Sequence, residues 1–178
     1  MSKRLLSTAL VAVLAAAGFA PSAQAATGTI NISGKVLADT CTIAVNGGST
    51  VTLPSVMKTS FTAVGSVAGA TTFAVALTGC DTNATSATMQ FSGSGIDTTT
   101  GNLKNTAAGG SNVQVQLLNA ASSDAVINTN TQANAPVIAI NSATGAGTAS
   151  LKAQYIATNA ATTAGLVTSS VSFTLTYL

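Results

Sequence analysis

The chain has 178 residues, only 6% of them charged and 47% hydrophobic, with no histidine, tryptophan or glutamate. A soluble domain usually carries about 25% charged side chains, and general acid–base chemistry here would have only four aspartates, five lysines and two tyrosines to draw on. An enzyme is therefore disfavoured, and the length suits one domain of ordinary size.

The first element in chain order reads as a segment to be removed. Met1 to Arg4 is a basic start, Leu5 to Ala20 is an apolar run, and Ala23-Gln24-Ala25 is a small-x-small site. Together they predict a secretory signal peptide over residues 1–25, cleaved after Ala25. The apolar run is shorter than the roughly 20 residues a spanning helix needs. The mature chain would then balance Lys35, Lys58, Lys104 and Lys152 against Asp39, Asp81, Asp97 and Asp124. Such a chain has no basic field to attract nucleic acid, so none is expected as a partner.

From Ala26 onward the pattern alternates. Gly28, Ile30, Ile32, Gly34 and Val36 share one face of an extended segment, and such a face must be buried somewhere. An ordinary first strand of a sandwich is one account of it. Cys41 and Cys80 are the two cysteines, and in an exported chain an even number predicts a disulfide. A metal pair would lack the remaining ligands, so no metal or cofactor is expected.

Period-two alternation predicts strands around Ile30, Ile32 and Val36; Phe73, Val75 and Leu77; Val113, Val115 and Leu117; Leu151, Ala153 and Tyr155; and Val171, Phe173, Leu175 and Tyr177. Weaker strand candidates are Ser49–Leu53, Ala87–Ser92, Ala125–Asn128 and Val137–Ile140, and Val56–Val64 has room for a turn of helix. Turn-forming clusters separate them at Asn46–Gly48, Gly93–Gly95, Gly109-Gly110, Asn141–Gly147 and Asn159–Gly165. Eight to ten strands in about 150 residues point to an antiparallel sandwich.

The last segment runs in alternation to Leu178, and between Lys152 and Leu178 there is neither a charged side chain nor a proline. Sheet edges usually carry such defences against pairing. A strand without them is suited to being paired.

Four stretches now carry a resemblance: Gly34-Lys-Val-Leu-Ala-Asp-Thr-Cys41, Leu77-Thr-Gly-Cys-Asp81, Leu151-Lys-Ala-Gln-Tyr155 and Phe173-Thr-Leu-Thr-Tyr-Leu178. With Gly165, fourteen residues from the C-terminus, and the penultimate Tyr177, they resemble the major structural pilins of the chaperone–usher pathway, of the type 1 fimbrial kind. The resemblance implies an all-β, incomplete immunoglobulin-like sandwich whose open groove is filled by a donor strand from a neighbouring subunit. Residues 26–36 would be the donor-strand extension running into the first strand, and residues 37–178 the pilin domain.

Carried over by position, Gly28, Ile30, Ile32, Gly34 and Val36 would be the donor face. Gly165, Val171, Phe173, Leu175, Tyr177 and Leu178 would form the edge that meets chaperone and donor, with the Leu178 carboxylate an anchor for basic chaperone residues. The implied partners are identical subunits in a head-to-tail fibre, a periplasmic chaperone and an outer-membrane usher. The implied destination is a cell-surface fimbria of a Gram-negative bacterium, reached through the periplasm. A minor adaptor subunit of the same pathway and a secreted carbohydrate-binding β-sandwich module are the alternatives.

Overall fold

A computed structural model of the chain describes residues 30–37, 40–45 and 49–178. The signal segment, Gly28 and the Asn46–Gly48 turn expected from the sequence lie outside those residues. The chain divides into a leading part ending at Lys35 and a body from Val36 to Leu178.

The body is built of strands: β1 (Thr42–Val45), β2 (Val67–Thr78), β3 (Ser86–Ser92), β4 (Val113–Asn119), β5 (Ala125–Ile127), β6 (Val137–Ala139), β7 (Gly147–Ala157) and β8 (Ser172–Tyr177). Two short 3-10 turns, Lys58–Ser60 and Ala120–Ser122, complete the regular structure. One sheet runs β1-β2-β7-β4-β5 and the other β6-β3-β8, and every pairing between these strands is antiparallel.

Alternation explains which side of each strand is buried, because successive side chains point to opposite faces. Val75 and Leu77 on β2, Ala87, Met89 and Phe91 on β3, Val115 and Leu117 on β4, and Leu151 and Ala153 on β7 meet in one core between the sheets. Of the five segments with the clearest alternation, four became β2, β4, β7 and β8, and the one around Ile30, Ile32 and Val36 did not. Three weaker candidates are β3, β5 and β6, and the helical turn foreseen in Val56–Val64 is the 3-10 turn at Lys58–Ser60.

Elsewhere the structure departs from the sequence reading. The Ser49–Leu53 segment joins no sheet; a strand needs a partner, and alternation alone does not supply one. Residues 30–37 form no strand for the same reason. Gly147, expected in a turn, is the first residue of β7, and β1 was not foreseen.

Gly69 shows why one glycine is needed inside β2. It has φ +68°, where the β2–β7 register shifts, and a Cβ there would lie 3.0 Å from the ring of Tyr155. The missing side chain lets the bulky ring lie over the strand.

Candidate functional site

The second sheet ends at β8, which among the described residues pairs with β3 and has no strand on its other side. Beside that free side an open cleft of about 550 Å³ runs between the Ser49–Leu53 segment and Ser169–Phe173. Its floor is the core itself: Val75 from β2, Met89 and Phe91 from β3, Val115 and Leu117 from β4, and Leu151 from β7 line it. No charged side chain is among the lining residues. A sandwich with all its strands would close over these side chains, so the cleft marks the place of an absent strand.

The chain before β8 is held along its opposite side by an unusual ladder. The Asn105 side chain donates from Nδ2 to the carbonyls of Ser111 (2.7 Å) and Leu166 (2.8 Å), while its Oδ1 accepts from the amides of Ala107 (3.0 Å) and Thr168 (2.8 Å). Asn112 works similarly, donating from Nδ2 to the Ala161 carbonyl (2.8 Å) and accepting the Thr163 amide on Oδ1 (2.9 Å). The two amides take the part of a neighbouring strand where regular pairing ends. Neither was picked out from the sequence, because a lone asparagine in a loop carries no signal until its partner segment is placed.

Gly165 belongs to this segment rather than to β8. A Cβ there would meet the Ser111 amide nitrogen at 2.6 Å and the Gly110 carbonyl carbon at 2.7 Å, so two backbones touch at a place only glycine permits. It also lines a smaller recess of about 320 Å³ between Ser55–Phe61 and Thr162–Val167. Tyr155 borders both this recess and the main cleft, and burial pushes its phenol above the ordinary value.

The remaining residues singled out for the edge divide into groups. Val171 and Phe173 line the cleft, and the Phe173 ring lies tilted against Phe91 at 6.4 Å between centroids. Leu175 and Tyr177 are half-buried and pack on the core. Leu178 is exposed, but one of its carboxylate oxygens accepts hydrogen bonds from the Thr85 amide and the Thr85 hydroxyl, both at 2.9 Å.

Cys41 and Cys80 form the expected disulfide, 39 residues apart in sequence. On the expected donor face, Ile30, Ile32 and Val36 are 87%, 91% and 97% exposed. A Cβ on Gly34 would have nothing within 4 Å. Large apolar side chains at this level of exposure are costly unless something covers them.

Three comparisons bear on this arrangement. The fimbrial protein family matches residues 30–178. The F17 fimbrial protein of Escherichia coli is 40% identical over 177 residues, covering 94% of this chain and 96% of its own length. The major fimbrial subunit SMF-1 of Stenotrophomonas maltophilia is 40% identical over 185 residues, covering 93% and 99%. Among solved structures, an antigen and type I fimbria protein of Burkholderia pseudomallei superposes with a TM-score of 0.57 at 28% identity, over 78% of this chain and all of that one.

Proposed function

Since the chain belongs to the fimbrial protein family and is a structural subunit of a surface fimbria, we propose that it polymerises by donor-strand exchange in the chaperone–usher pathway. The observation that carries this reading is the open apolar cleft beside the free side of β8. Removal of residues 1–25 in export would leave the 26–36 segment as the arm that fills the same cleft on the next subunit.

The physics is that of β-augmentation: backbone hydrogen bonds to an exposed edge give affinity, and alternate side chains filling pockets give specificity. Each isoleucine moved from water into the cleft contributes roughly 1.5–3 kcal/mol. With a donor at one end and a cleft elsewhere, the contact is heterologous and does not close, so it grows into a fibre. Before assembly the same cleft lies open over apolar core side chains with no strand to cover it, which is the need a periplasmic chaperone meets by lending a strand, with the usher as the place where the next arm replaces it. The 40% identity to a protein named as a major fimbrial subunit supports the repeating shaft subunit over a minor adaptor.

Two truncations test the reading. Without residues 26–33 the subunit should still fold on its chaperone, co-purify with it from the periplasm and fail to extend a fibre. Without Ser172–Leu178, which removes β8, it should find no chaperone and be degraded. Equal loss of both would mean that Ile30 and Ile32 serve the subunit's own core, and strand exchange would be wrong.

A further inference from the structure

The two sides of the three-stranded sheet are finished differently. On one side β8 lies beside the open cleft. On the other, β6 pairs with β3 only from Ser86 to Thr88, and the Pro136 carbonyl accepts the Met89 amide at 3.0 Å. Beyond that point the Gln132 side chain takes the place of a strand. Its Oε1 accepts the Phe91 amide at 2.7 Å, and its Nε2 donates to the carbonyls of Phe91 (2.9 Å) and Thr129 (2.8 Å). One side-chain amide thus satisfies both backbone groups of Phe91. Gln132 itself sits at φ +64°, in the left-handed region that residues other than glycine seldom occupy. Around it Asn128 Oδ1 accepts the amides of Asn130 (3.0 Å) and Thr131 (2.9 Å). Buried Thr129 is tied to the Gly101 carbonyl through both its amide (3.0 Å) and its hydroxyl (2.8 Å). A strained residue in a firmly tied loop points to a role at that position.

That role follows from where Phe91 stands. Phe91 lines the cleft, pairs in register with Phe173 of β8, and its ring meets the Phe173 ring at 6.4 Å between centroids. We propose that Gln132 is a positioning residue that sets which apolar side chains the cleft accepts, by fixing Phe91 from the side away from the incoming strand. The inference rests on the strand-exchange reading given above. With its backbone tied to Gln132 on one side and its strand paired with β8 on the other, Phe91 is a rigid part of the wall, and a side chain of the wrong size must displace it. Without the Gln132 amide, β3 is held at Phe91 by β8 alone, and β8 has no strand on its cleft side among the described residues. The wall then yields. Selectivity falls because a surface free to repack accepts occupants of more than one size.

The probe is a synthetic peptide of residues 26–36, offered to the subunit purified with its chaperone, and the measurement is the rate at which chaperone is displaced. Two further peptides carry Ile30→Phe or Ile32→Phe. A small misfit in a well-formed apolar pocket is worth about 10–200-fold, so the parent should take the native peptide at least about tenfold faster than one of the enlarged ones. Gln132→Gly removes the side chain at a φ that glycine adopts freely. It should bring that ratio to within about threefold, and the Phe91 amide should exchange hydrogen about two- to tenfold faster, as for one lost hydrogen bond. A residue that only stabilises the fold would lower the melting temperature and change all three rates alike; an unchanged ratio overturns the proposal, as does a parent that takes the three peptides equally. If the Gln132→Gly subunit is not recovered, Gln132→Asn is read in the same way, since asparagine tolerates the same φ and its amide is one methylene short of Phe91. In the parent complex, a Phe91 amide that exchanges as fast as an unpaired one overturns the proposal without any variant. Failure of strand exchange itself shows separately, as a native peptide that displaces no chaperone from the parent.

Discussion

Gly165→Ala tests the contact that shapes the segment leading into β8. Ordinary van der Waals contact begins near 3.4 Å, and the added Cβ would sit 2.6 Å from the Ser111 nitrogen, so the two backbones must part by about 0.8 Å. Neither backbone can turn aside as a side chain would. Parting them also stretches the hydrogen bond from the Ser111 amide to the Leu166 carbonyl (3.1 Å) and the one from Asn105 Nδ2 to the same carbonyl. Overpacking costs roughly 1–3 kcal/mol and each stretched hydrogen bond forfeits part of its roughly 0.5–1.5 kcal/mol, which together give a loss of roughly 2–4 kcal/mol.

For a domain of this size that is a fall in melting temperature of roughly 4–16 °C, readable by circular dichroism on the subunit purified with its chaperone. Gly34→Ala is the control and should leave the melting curve unchanged, because open space surrounds that position. Asn105→Ala, which removes two hydrogen bonds to the same segment, at Leu166 and Thr168, and two more to Ala107 and Ser111, should destabilise in the same direction. A Gly165→Ala chain that melts within a degree of the parent would show that the two backbones do not touch.

Three further outcomes follow from individual sites. Ile32→Asp and Gly34→Arg alter exposed positions, so the chaperone-bound subunit should stay soluble while fibres disappear from electron micrographs; a charge carried unpaired into the cleft costs several kcal/mol. The Cys41–Cys80 bridge should appear as a mass two hydrogens below the dithiol under non-reducing conditions, and its loss should cost about 4 kcal/mol from chain entropy; two alkylatable thiols would refute it. The Asp97 carboxyl is held below its ordinary 3.8 by the Thr99 amide, then by the Thr100 amide, Gln114 and the charge of Lys104, against an opposing effect of burial. Its contribution is therefore present above pH 3.8 and lost as pH falls through the lowered folded value, so Asp97→Asn should flatten the acid side of the urea-midpoint curve, and an unchanged acid limb would contradict the assignment.

Legibility in the sequence followed local physics. The alternating apolar residues of β2, β4, β7 and β8 could be read directly, since a two-residue period is set by the backbone alone. β1 escaped because Thr42–Val45 is short and only its last two residues are half-buried. Ser49–Leu53 alternates as a strand does, yet becomes a wall of the cleft because no neighbour offers it a ladder. Gly165 was visible by its place in the chain, but the reason for it, the backbone of Gly110 and Ser111, was not.

By itself, the order of residues determined an all-β body, a disulfide and an apolar leading face, because strand periodicity, thiol count and side-chain hydrophobicity are local properties of the chain. Tertiary structure decided which strand has a free side, that the cleft beside it opens onto the core, and that Asn105, Asn112 and Tyr177 act as ties between distant segments. These depend on which segments become neighbours. A hydrogen bond between residues 41 and 177 exists only once two sheets have been laid face to face.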